Sequence, residues 1–458
     1  MRKGLLIAAC LLTTASMTLA GGILSNTNQS AQFVRMLSRG ASTDIDAAYY
    51  NPAGLVLMED GLHIALASQT ISQTKTVEST YPLFGGSKTF IGDVFAPVFP
   101  DLYAVYKTGK WAVNFGFGPH AGGGSADFNA GLPSFEAQIA QLPVGVSTQI
   151  GMPTTKYAAD IKFSGSSVFY GFQLGASYEV IENLGVSLGA RYLMAKNTYE
   201  GSITGIKINP LHPQLNPTGA MISASQFFNT LYVATGQTNP TLLGLSRNTA
   251  DKAVDAEQTG SGVTPIIGVN YKVNDQWNVA LKYEAMTAIE LTNKTAKDDT
   301  GLFPDGKKSN SDLPAMLAGG VTFKPISKLL LALSGNYYFD DGVSWEGRGV
   351  KPDANTWEAQ LGVQYQLVPK LALSAGYNRT QISVPDGFQT DLNHNLSSDT
   401  VGLGFRYQLL PALAVDFGGL ITLYESFVKS QTFAGKSYAE TYSRDTWDVA
   451  IGFSYSFK

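Results

Sequence analysis

The residues of this chain best suited to proton transfer, metal ligation or nucleophilic attack are His63, His120, His212, His394 and the lone Cys10. Their arrangement does not support that chemistry. His63 opens a predicted strand, and the other three lie in predicted loops. No Gly-x-Ser-x-Gly elbow stands on a strand-to-helix turn, and no His-rich metal motif occurs. Catalysis, a metal and a cofactor are therefore not expected. A different chemistry is open to Arg191, Lys282 and Arg406, which sit on the polar side of alternating segments. Each can bind a carboxylate. It is either a ligand's, or one of the chain's own, with Glu284 and Asp416 as the candidates.

The elements that position these groups follow from composition first. The chain has 458 residues, a formal net charge of -4 and only 15% charged residues, against roughly a quarter in soluble domains. It has 48 glycines, 22 tyrosines and 24 phenylalanines. No basic footprint for nucleic acid is present. The first 20 residues, MRKGLLIAACLLTTASMTLA, join two cations to an apolar run and a small-residue exit. They read as a secretory signal whose removal takes Cys10 and leaves Gly21 first. Beyond it no stretch reaches the roughly 18 consecutive apolar residues of a membrane helix.

What remains alternates. In TWDVAIGFSYSF, Trp447, Val449, Ile451, Phe453, Tyr455 and Phe457 share one face. Asp448, Ala450, Gly452, Ser454 and Ser456 share the other. WNVALKYEA, WEAQLGVQYQL and VGLGFRYQL repeat the pattern, with Lys282, Glu284, Glu358, Gln360 and Arg406 on the polar side. A dry core would charge heavily for that side, whereas a wet lumen would not. The expectation is an all-β transmembrane antiparallel barrel with its apolar face in lipid. The strands fall near 62–72, 101–107, 111–118, 167–180, 184–199, 262–273, 277–288, 315–324, 328–339, 355–367, 371–380, 399–409, 413–425 and 445–457. That is about fourteen.

Short connections such as KTGK, VIEN and VNDQ alternate with long ones at 73–100, 119–166, 200–261, 289–314, 340–354, 381–398 and 426–444. Short periplasmic turns and long extracellular loops have this form. Trp111, Trp277, Trp357 and Trp447 open strands with outward parity, as interfacial girdles require. Trp345 falls in a loop. Helices are expected at Ser134 to Leu142 and Ser223 to Gly236, inside two long loops. Lys429 reads as a solvated loop charge. In the third strand, NFGFGPHAGGG, Gly116, Gly118 and Pro119 weaken a ladder and suit a kink.

Residues 21–60 precede the barrel (61–458) and do not alternate. SAQFVRMLSRG reads as a short helix capped by Ser30 and ended by Gly40. It is followed by STDIDAAYYNPAGL. A segment this apolar is too short for a core of its own, so it should pack inside the barrel as a plug. The stretch RGASTDIDAAYYNPAGL is similar to the N-terminal hatch of the FadL-type long-chain fatty-acid transporters of bacterial outer membranes.

That resemblance rests on Asn51, Pro52 and Ala53, with Gly54 following, placed between signal and first strand. It implies a fourteen-stranded barrel plugged by a hatch. It also implies passive uptake of long-chain fatty acids or other hydrophobic compounds across a barrel set in outer-membrane lipid; a monomer is expected because a complete barrel has no free edge that requires a partner. A ligand would enter among the long loops, displace the hatch and leave sideways at a kink in the third strand. NPAGL is expected to face that strand. The rival readings are a small-solute porin, which a plug argues against, and a barrel adhesin, which would not need one.

Overall fold

In the computed structural model the alternating segments form one closed antiparallel wall, described for residues 22–343, 345 and 350–457. The predicted signal, with Cys10, lies outside the described residues. Fourteen strands make the wall: β1 (Gly61–Ser79), β2 (Lys88–Thr108), β3 (Trp111–Phe128), β4 (Tyr157–Ile181) and β5 (Leu184–Ile208); β6 (Lys252–Lys272), β7 (Trp277–Glu284), β8 (Met316–Ile326) and β9 (Leu329–Tyr338); β10 (Ala354–Val368), β11 (Leu371–Ser383), β12 (Ser398–Leu410), β13 (Leu413–Tyr424) and β14 (Lys436–Phe457). Short strands at Glu290–Asp298, Lys308–Asn310 and Phe427–Phe433 continue β7, β8 and β13 outward. Neighbours in sequence pair, and β14 closes on β1 from Leu62↔Phe457 to Ser79↔Glu440. Among the described residues the wall strands close into a ring with no terminal edge strand.

The period of two decides which face is which. Trp447, Val449, Ile451 and Phe453 are exposed, while Asp448 and Ala450 between them are buried. Leu66, Leu174, Leu188, Leu361 and Leu403 join them in an apolar outer surface suited to lipid. Trp111, Trp277, Trp357 and Trp447 all face outward. Tight turns close one end of the barrel. Gly109 (φ 52) and Asn183 (φ 65) take the left-handed conformation two of these turns need.

Several expected loops are shorter than the sequence suggested. Residues 73–79 and 88–100 are strand, as are 200–208 and 252–261. Beyond the apolar belt the outward residues of several of these parts are polar, as at Thr74, Thr76 and Glu78 of β1, Glu200 and Lys207 of β5 and Asp255 and Glu257 of β6, so they carry no lipid signal. The long loops do hold helices, at Pro133–Ala140, Ala224–Ala234 and Pro240–Asn248. Ser223 caps the second, its hydroxyl accepting from Gln226 N–H at 3.4 Å.

The plug lies inside. α1 (Ala31–Met36) starts at Ser30, whose hydroxyl accepts from Phe33 N–H. It ends at Leu37 (φ 59), three residues before the expected Gly40. α2 (Ala47–Tyr50) leads through Asn51 into a 3-10 turn, Pro52–Leu57. Pro sits at the first turn, where its missing N–H costs nothing. Arg39 ties the segment together, bonding Asp46 at 2.6 Å and Asp44 at 2.8 Å.

Candidate functional site

The plug and the wall meet where the ladder between β2 and β3 is broken. Pairing runs from Thr108↔Trp111 to Leu102↔Phe117, stops, and resumes at Phe95↔Ser125. Residues 96–101 of β2 and 118–124 of β3 do not pair with each other. Both strands contribute to the break. Pro97, Pro100 and Pro119 have no N–H to donate. On the other side of β3 the register against β4 shifts at Pro119/Ala121 and again at Gly122/Gly124. Gly122 has φ +65, and a Cβ there would lie 2.1 Å from Ser167 O. Of the expected kink residues, Gly118 and Pro119 border the break, whereas Gly116 pairs regularly with Tyr103.

A broken ladder inside a membrane leaves carbonyls that must find donors. The plug supplies them. Asn26 Nδ2 donates to Gly122 O at 2.6 Å and to Pro119 O at 3.3 Å. Asn26 N–H donates to His120 O at 2.8 Å, and Gln29 Nε2 to Pro119 O at 2.9 Å. Ser25 forms an antiparallel bridge with Ala121. His120, expected in a loop, lies within β3 and is buried, its Nδ1 3.0 Å from the Tyr49 hydroxyl. Residues 25–29 thus act as a missing strand segment.

The NPAG motif does different work from that expected. Asn51 Nδ2 donates to Val269 O at 3.0 Å and Leu281 O at 3.2 Å, on β6 and β7. Its Oδ1 accepts from Ala53 N–H at 3.2 Å and caps the 3-10 turn. Pro52 O accepts from Ser177 on β4 at 2.7 Å, and Ala53 lies against Gly185 on β5. A Cβ on Gly54 would lie 2.2 Å from Ser42 O, within the plug. The motif therefore anchors the plug to β4–β7, and it is Asn26 and Gln29 that face β3. Asn51→Ala is expected to weaken plug docking by about 1–3 kcal/mol. Hydrogen exchange over residues 47–57 should accelerate while the barrel keeps its heat-resistant gel mobility. Loss of that mobility would make the motif a structural part of the barrel.

The three candidate cations are occupied by carboxylates of the chain itself. Arg191 forms a two-pronged pair with Glu284, at 2.6 and 2.9 Å. Lys282 Nζ bonds the same carboxylate at 2.6 Å and Tyr49 O at 3.1 Å. The Tyr49 ring lies 4.8 Å from the Arg191 guanidinium and 5.2 Å from the Lys282 ammonium. Arg406 is elsewhere, 3.4 Å from Asp44 and 3.9 Å from Asp416. Burial explains the pairing, because an unpaired charge at these positions would be costly.

A groove of about 840 Å³ opens among the long loops. Phe84, Leu142, Ile150, Met152, Leu231, Leu242 and Leu245 make it greasy, and Asp391, Lys429 and Glu440 mark one end. Lys429 is thus part of the groove, donating to Gln389 O at 2.8 Å. Burial pushes the Tyr81 hydroxyl up to about 12 and the Asp391 carboxyl above its usual range. Between groove and plug the loop 384–397 turns inward. An apolar cluster of Val384, Phe388, Ile289, Leu291, Phe169, Leu193, Ile23 and Leu24 continues from it to Ala121 at the break.

The wall matches known architecture over most of its length. Residues 221–408 match the family model of the outer membrane protein beta-barrel domain. A Pseudomonas aeruginosa FadL homologue superposes with TM-score 0.65 at 13% identity, covering 96% of this chain and 100% of that one. The fold is that of a FadL-type barrel. The Pseudomonas putida toluene transporter TodX gives TM-score 0.60 at 15% identity, over 95% of this chain and 100% of that one. The Ralstonia pickettii toluene transporter TbuX gives 0.54 at 16%, over 91% and 94%. No curated protein sequence matches. The apolar outer belt and the match to the outer membrane protein beta-barrel domain place this barrel in the bacterial outer membrane.

Sequence reading missed Asn26, Gln29, Pro97 and Pro100, and the apolar residues with inward parity. Phe169, Leu193 and Leu291 break the rule of a polar lumen, and that exception was available as a signal. So were the inward glycines of β10–β14. A Cβ on Gly376 would come 1.9 Å from Met36 O, and on Gly418 2.7 Å from Arg35 N. They make room for α1.

Proposed function

We propose that this FadL-type barrel is a channel for passive uptake of hydrophobic compounds across the outer membrane, long-chain fatty acids among the candidates. A ligand collects in the loop groove, passes down the apolar cluster and reaches the plug. When residues 25–29 release β3, the unpaired stretch between β2 and β3 opens sideways. The ligand leaves into the lipid without crossing water. The observation that carries this reading is the broken ladder whose carbonyls are held by plug side chains. Such bonds can be exchanged, unlike a continuous ladder, and an apolar route ends on them. The relatives described as toluene transporters and a FadL homologue support a hydrophobic cargo.

The experiment is uptake by cells lacking their own hydrophobic-compound transporter, with and without this protein. A labelled hydrophobic compound is compared with a small sugar. Faster hydrophobic uptake with unchanged sugar flux is expected. Raised sugar flux alone would point to a porin, against which the plug argues: residues 22–38 are buried throughout.

A further inference from the structure

The loop 384–397 between β11 and β12 is buried, although connecting segments ordinarily run over the surface, where water satisfies their backbone. Phe388, Gln389, Asn393 and His394 are at most 1% exposed. The loop reaches across the bore. Leu392 shares an apolar cluster with Phe128 of β3 and Phe163 of β4, and β4 lies halfway round the ring from β11. Leu396 packs with Val77 of β1, Phe90 of β2 and Tyr442 of β14. Phe388 belongs to the cluster that ends at Ala121 on the break. On its other side the loop meets the groove, which Thr390 and Asp391 line. It thus separates the groove from the apolar route beneath.

The hydrogen bonds of this loop fall into two sets. One is internal. Gln389 Nε2 donates to Asn395 O at 2.6 Å, and Gln389 Oε1 accepts from Asn395 N–H at 2.8 Å. Asn393 N–H donates to Thr390 Oγ1 at 3.0 Å, and Asn393 O accepts from Thr390 N–H at 3.1 Å. The other set ties the loop to the mouth. Asp391 Oδ2 accepts from Ser134 N–H at 2.8 Å, Lys429 Nζ donates to Gln389 O at 2.8 Å, and Arg444 Nη2 donates to His394 O at 2.6 Å. A unit that carries its own internal bonds can leave its seat by exchanging the second set with water. The remaining hold is apolar, because Phe388, Leu392 and Leu396 each vacate a dry seat when the loop moves. A hydrophobic ligand arriving from the groove can fill those seats, and a sugar cannot.

We infer that loop 384–397 is an entry gate in series with the plug, and that Phe388, Leu392 and Leu396 are its specificity-determining residues: the gate yields to a ligand apolar enough to take their seats. This rests on the channel reading above.

The test uses cells lacking their own transporter. In the variant S134C/D391C a short thiol-reactive cross-linker ties the loop to the helix Pro133–Ala140. Labelled dodecanoate should enter the bridged cells roughly tenfold more slowly than the same cells unbridged. Equal entry, with the bridge verified by mass spectrometry, would overturn the gate and leave the channel standing. A second variant, N393C, places a thiol on the buried loop. A membrane-impermeant thiol reagent should label it about tenfold faster with dodecanoate present than with a small sugar or with neither. Equal labelling in all three conditions would overturn the gate even if the double variant fails to assemble. Wild-type cells that take up neither dodecanoate nor toluene would overturn the channel reading, and the gate with it.

Discussion

Glu284→Ala is expected to cost the protein about 3–5 kcal/mol and to free the plug from β5 and β7. Glu284 is the shared counter-ion of two buried cations, at 2.6 Å from each. Its removal leaves Arg191 with Gln173 and His120, and Lys282 with the carbonyl of Tyr49. These neutral partners do not replace a charge. The plug bears the consequence because Tyr49 is clamped over both cations and its hydroxyl holds His120 on β3. A like-charged pair without its acid pushes apart, and Tyr49 goes with it.

The measurement is the denaturant midpoint of the detergent-solubilised protein, with hydrogen exchange over residues 22–57. The variant should unfold earlier and its plug should exchange faster. Adding R191M and K282M should recover part of the loss, since a fully apolar replacement carries no uncompensated charge. A loss under about 1 kcal/mol would show the triad to be hydrated and structurally minor.

The wall was legible because its signals are local. Period-two alternation, short turns alternating with long loops and outward tryptophans need no knowledge of distant neighbours. Each of the fourteen expected segments coincides with part of one wall strand, although several strands run well beyond it. The plug was legible for the opposite reason: it is apolar without alternating, so it had to be packed against something. The extramembrane ends of β1, β5 and β6 were not legible, because outside lipid the outward residues turn polar.

The site was legible only in part. Parity showed that Arg191, Lys282 and Arg406 face inward. It could not choose between a ligand and Glu284, since Arg191 and Glu284 stand on different strands. The break in the wall depends on two strands at once. Gly118 and Pro119 are visible on β3, but the matching Pro97 and Pro100 matter only once β2 is known to lie opposite. Which strands receive Asn51 is likewise a matter of how the plug lies in the lumen, and its motif carries no record of that.

The second large effect is a block. Ser25 and Ala121 form an antiparallel bridge between plug and β3. Residues paired in this way lie about 4.5–5.5 Å apart at Cα, inside the window of about 4.4–6.8 Å that a disulfide spans. The variant S25C/A121C should therefore cross-link the plug to the wall at the break without distorting either. The only native cysteine is Cys10, in the segment expected to be removed, so one disulfide is the expected product.

The decisive measurement is uptake of a labelled hydrophobic compound by cells carrying S25C/A121C, oxidised and then reduced. Oxidised cells should take it up no faster than cells without the protein, and reduction should restore the wild-type rate. Equal uptake in both states, with the disulfide verified on gels, would mean that the ligand does not leave through the break between β2 and β3.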